Sequence, residues 1–212
     1  MFFKIQGTRL EYDIETYRNH RRQKPDPNAK YKVAAGALLG TAIPVIYLAK
    51  KQDVSPFKIN YKLKEMLTVS ISAIAGGVLT GILTGHKEHR KQKMHEGVFQ
   101  LMNSSVPALL TASLFSLSKR FKCLDNIPYK IGSSLLGIGG GIYAAAKLSN
   151  FINDPYDKIP DRKLTIKDSV ANIDDAIGVL VLAKVPAVQK IPVDKALPAI
   201  YGWCGYRAGM SN

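Results

Sequence analysis

The uncharged run Met66–Gly85, MLTVSISAIAGGVLTGILTG, constrains this chain more than any other stretch. It has about the length that a helix needs to cross the hydrocarbon core of a bilayer, ~20 residues. It also carries two overlapping small-residue repeats, Gly77-x-x-x-Gly81 and Gly81-x-x-x-Gly85. In a water-exposed helix each glycine costs roughly 1 kcal/mol relative to alanine. In lipid the same spacing makes a flat groove, into which a neighbouring backbone can pack closely. The basic run HKEHRKQKMHE follows at once. An apolar, glycine-grooved span ending in a cationic collar predicts a membrane helix.

Three further stretches repeat the pattern with variations. Val33–Ala49 is uncharged but short; it contains Gly36-x-x-x-Gly40, and Pro44 predicts a kink in it. Gly97–Ser118 is long enough but holds Gln100, Asn103, Ser104 and Ser105, which belong against other helices rather than lipid. Ile131–Ala146 is short again, with Gly137-x-x-x-Gly141; the run Gly139–Gly141 either continues a helix or breaks it. Residues 1–32 form a polar, basic arm with no apolar run, so no cleavable signal peptide is expected, and its acids argue against a transit peptide.

The last third is harder to place. Thr165–Ala183 contains Asp168, Asp174 and Asp175. A charge at the centre of a span costs about 3 kcal/mol, while each Leu, Ile or Val returns only about 0.5. Alone, this segment does not insert; as an interfacial helix it would place its aspartates on a wet face, and as a span it would bring them into a polar path. Ala196–Gly209 is a final apolar piece, with Trp203 and Gly205-x-x-x-Gly209, interrupted by Arg207.

An internal repeat would reconcile these readings. YKVAAGALLGTAIPVIYLAK at 31–50 resembles YKIGSSLLGIGGGIYAAAK at 129–147, and KLKEMLTVSISAIAGGVL at 62–79 loosely resembles KLTIKDSVANIDDAIGVL at 163–180. A duplication of 31–118 and 129–210 gives three spans per copy, with functional groups at the repeat interface. With six spans, more of the 30 Lys and Arg fall on the side of the N-terminus, so a cytoplasmic N-terminus is expected. Every loop is basic, however, which argues against six full crossings.

The net charge of +14 suits anionic lipid head groups. It is spread over all loops instead of being gathered with aromatics on one element, so nucleic acid is not expected as a partner. Cys123 and Cys204 have no pairing or metal spacing. His86, Glu88, His89, His95 and Glu96 form the densest cluster of metal-type side chains, but the order is not H-E-x-x-H, and a solvated collar explains them better. Asp154, Asp157 and Asp161 lack the spacing of a calcium loop. No nucleotide-binding loop, nucleophile elbow or triad is present.

The sequence therefore predicts an all-α, polytopic integral membrane protein: a bundle of four to six glycine-rich spans over 33–212, behind the arm 1–32. Gly36, Gly40, Gly77, Gly81, Gly85, Gly137 and Gly141 are expected to pack helices. Asp168, Asp174 and Asp175 are expected to line a transport or permeability path. The alternative is a non-catalytic membrane scaffold. No enzyme activity, cofactor or metal is expected; the expected partners are anionic lipid head groups and a membrane protein or a second copy of the chain.

Overall fold

The computed structural model of the 212-residue chain describes residues 27–85, 87–158, 160–162, 164 and 193–211. The described residues are helical throughout, with no strand. The helices are α1 (Pro27–Gln52), α2 (Leu63–Thr84), α3 (Arg90–Arg120), α4 (Ile127–Asn153) and α5 (Leu197–Gly209), joined in part by short 3-10 turns. Residues 1–26 of the basic arm and the segment carrying Asp168, Asp174 and Asp175 lie outside the described residues, while residues 27–32 of the arm form the start of α1.

Four stretches are long and apolar enough to cross a membrane: Asn28–Gln52, Leu63–Thr84, Lys87–Arg120 and Pro128–Asn153. Their outward faces carry large exposed apolar side chains, among them Leu39 and Ile43 on α1, Leu83 on α2 and Leu135, Leu136 and Phe151 on α4. Water-soluble monomers seldom expose contiguous apolar surface on this scale.

Local chemistry explains the helix ends and interiors. Asp53, in the left-handed region at φ 53°, ends α1, and the amide of Val54 donates to the Ala49 carbonyl at 3.0 Å. Asn126 starts α4, its side chain accepting from the Tyr129 amide at 2.8 Å, with Pro128 in the first turn, where a missing N–H costs little. Hydroxyls inside the spans donate back to their own helix: Thr41 to Ala37 O, and Thr80 to Gly76 O, each at 2.8 Å. α1 continues through Pro44 and α4 through Gly139–Gly141.

Glycines set the packing of α2. Neighbouring residues on a helix point about 100° apart, so Gly76 and Gly77 face different partners. A Cβ at Gly76 would collide with the Gly36 carbonyl of α1. One at Gly77 would collide with the Gly205 carbonyl of α5, and one at Gly81 with that of Gly209. A Cβ at Gly40 would meet the Ser72 carbonyl. Gly85 ends α2 and faces the Lys93 stem, 3.0 Å from the position a Cβ would take. On the other side of the bundle, a Cβ at Gly137 would collide with Thr111, and one at Gly141 with Pro107. These registers make α1 antiparallel to α2, α4 antiparallel to α3, and α5 parallel to α2. Leu197 and Tyr201 of α5 are buried with Leu48, Ile59, Tyr61 and Met66 at one end of the bundle. The other end of α5 is held by Lys93, whose Nζ donates to Gly209 O at 2.8 Å and Ser211 O at 2.7 Å.

Candidate functional site: a polar row on α3

The inward face of α3 differs from the other packed faces. Glu96, Gln100, Asn103, Ser104, Pro107 and Thr111 share it by helical spacing. Gln100 is 1% exposed and Asn103 2%, while Thr111 is fully covered. From Glu96, the last residue of the basic collar, to Ser104 the row runs about 12 Å along the helix axis into the stretch Gly97–Ser118 that the sequence assigns to a span.

Hydrogen bonds organise the row from its outer end inward. Gln100 Nε2 donates to Glu96 Oε1 at 2.9 Å. Deeper, the Ser104 and Ser70 hydroxyls lie 2.7 Å apart, joining α3 to α2. The carbonyl oxygen of the Gln100 side chain is buried and accepts no hydrogen bond among the described residues. A buried amide oxygen without a donor is costly.

At the outer end the polar stretch after α4 folds back over the row. Arg162 Nε and Nη2 donate to Glu96 Oε2 and Oε1, both at 2.9 Å, in a bidentate pair that is mostly buried. The guanidinium also lies over the Phe99 ring, 3.5 Å from its centroid. Asn150 fixes the Arg162 backbone in both directions: its Nδ2 donates to Arg162 O at 3.4 Å and its Oδ1 accepts from Arg162 N at 3.3 Å. Asn153 Nδ2 donates to His95 O at 3.1 Å. The arrangement presents a carboxylate, amides and hydroxyls in sequence, closed by an arginine from elsewhere in the chain.

The structure disperses the other candidate clusters. Glu96 turns inward to Arg162, while His89 Nδ1 lies 3.3 Å from Gln92 Oε1. Asp161 lies 3.9 Å from Lys147. Among the described residues no three His, Cys, Asp or Glu side chains gather in a metal-holding group; His86 lies outside those residues. His89 and Lys93, read from the sequence as part of a solvated collar, are both buried. The polar members of α3 were visible as Gln100, Asn103, Ser104 and Ser105 in an apolar run. Arg162 had no such signal, because its partner lies in a distant part of the chain.

No known protein family, curated protein or solved structure matches this chain.

Proposed function

We propose that this chain is a small multi-pass membrane transport or permeability protein whose polar path follows the inward face of α3. One observation carries the reading: Gln100, Asn103 and Ser104 are buried inside a helix long and apolar enough to cross a membrane. Polar side chains at that depth are costly to bury, and they either hydrogen-bond to neighbouring helices or line a path for substrates, ions or protons. Packing does not account for the Gln100 side-chain oxygen, which accepts no hydrogen bond among the described residues. Asp168, Asp174 and Asp175 belong to the same reading as acidic groups along the path, and the Glu96–Arg162 pair stands at its outer end.

Other parts of the chain fit this frame. The glycines of α1, α2 and α4 serve as helix-packing positions. Leu38-Leu39-Gly40 and Leu135-Leu136-Gly137 occupy matching places in the proposed duplication. Gly40 rests on Ser72 of α2 and Gly137 on Thr111 of α3. The N-terminus is assigned to the cytoplasm on loop charge. No catalytic step or cofactor enters this reading.

The second reading is a non-catalytic membrane scaffold. It is favoured by the tight packing of the row, in which Gln100 and Asn103 are closed off from solvent. Reconstituted vesicles separate the two. The wild-type protein is tested for flux of monovalent cations, small anions and small polar solutes, beside Q100L/N103L and D174N/D175N. Transport predicts flux in the wild type that falls at least tenfold in both variants while the fold is retained. Absence of flux for every solute favours the scaffold, and undiminished flux in both variants removes the path through these residues.

A further inference from the structure

A second feature lies at the opposite end of the bundle, where α1 turns into α2. The turn is rigidly built. Gln52 and the Asn60 backbone exchange two hydrogen bonds, Nε2 to Asn60 O at 3.1 Å and Asn60 N to Oε1 at 2.9 Å. Ile59 and Tyr61 are buried and anchor its return strand of chain in the core. Held in this way, the turn pushes Phe57 outward to 72% exposure. An aromatic ring displayed by a rigid turn at the end of two apolar helices is well placed to enter the bilayer interface.

The same turn overhangs the lipid-facing side of α1. Ile46, Ala49, Lys50, Asp53, Val54, Ser55 and Pro56 line an open groove of about 410 Å³. The groove continues an exposed apolar stripe: Leu39, Ile43, Ile46 and Lys50 follow one another at helical spacing, and the first three are exposed. The stripe is apolar along the span and ends in an ammonium group. Lys51, Lys58, Lys62 and Lys64 stand on the same turn and adjoining helix ends. Among the described residues none of these five lysines forms an ion pair. Asp53 is the one acidic group lining the groove, and it forms no ion pair with Lys50.

We infer that this groove is a binding site for an anionic phospholipid of the surrounding bilayer, with one acyl chain along Leu39, Ile43 and Ile46 and the phosphate at Lys50. Charge complementarity identifies the head group, and continuity with the span identifies the lipid. A cluster of lysines beside a membrane helix attracts anionic head groups, and the apolar stripe adds the contact that a free anion lacks. Phe57 wedges beside the head group and keeps the turn at the interface. The inference does not depend on the transport reading.

The test uses the full chain in lipid nanodiscs, carrying W203F so that the indole introduced by F57W is the one emitter of its kind. Brominated phosphatidylglycerol and brominated phosphatidylcholine with identical chains are compared as quenchers. A specific site predicts at least threefold stronger quenching by phosphatidylglycerol, and loss of that preference when K50Q, K51Q and K58Q are added. Equal quenching by the two lipids overturns the site, as does a preference that persists without the three lysines. Millimolar inorganic phosphate serves as competitor: no effect supports a bilayer lipid, while displacement overturns it in favour of a free anion. The lysines are outside the core, so their glutamine variants retain the fold, and near-native thermal unfolding checks this.

Discussion

Two regions of this bundle are held together by opposite means. Where α2 meets α1 and α5, glycines let main chains touch: Gly76 meets the carbonyl of Gly36, Gly77 that of Gly205, and Gly81 that of Gly209. Where α3 meets the end of α4 and the chain beyond it, the contacts are a carboxylate, a guanidinium and several amides. The first kind has a single geometry, because backbone cannot rotate away from backbone. The second kind can be exchanged, because every polar group in it has alternative partners in water, ions or solutes. A rigid half thus supports a half whose contacts are replaceable.

The largest expected effect breaks the rigid half. Gly81→Leu places a branched side chain against the backbone at Gly209 and should destabilise the protein by about 3 kcal/mol or more. Leu79→Ala, on the exposed side of the same helix, should cost far less, since lipid fills the space. Unfolding in detergent compares the two, and equal stability would remove the distinction between the halves.

A smaller effect is expected at the polar end. Glu96→Gln, Arg162→Gln and the double variant form a cycle whose coupling energy should be about 2 kcal/mol, because the pair is bidentate and mostly buried. A coupling near zero would mean that the pair merely coincides with the fold. The smallest effect is expected at Gly139, where a new Cβ meets nothing within 4 Å. Gly139→Ala should change stability by less than about 0.5 kcal/mol, towards greater stability, since alanine is the better helix former. A large loss there would show that close packing extends to the outer face of α4.

The four long helices could be read from the sequence because uncharged runs report their own environment, residue by residue. Met66–Gly85 and Gly97–Ser118 needed no knowledge of their neighbours. The glycine triplet of α4 was ambiguous because propensity measured in water opposes what a buried crossing requires; Gly141 sits on Pro107 of the preceding helix. The partner of Gly205 and Gly209 was illegible, since spacing says that a helix packs closely but not against which one. Lys93 looked like any solvated collar lysine. Its burial follows from the arrival of the α5 carbonyl end at its ammonium group, a contact across 116 positions of sequence. Arg162 was hidden for the same reason. The aspartates expected to line the path lie outside the described residues.

The parallel run of α5 beside α2 brings the two ends of the described chain to one end of the bundle. α1 begins at the end of the bundle where α5 finishes: a Cβ at Gly209 would strike Val33, near the start of α1. Pro27 and Ser211 therefore lie at the same end of the bundle. Groups attached at these two positions would be neighbours.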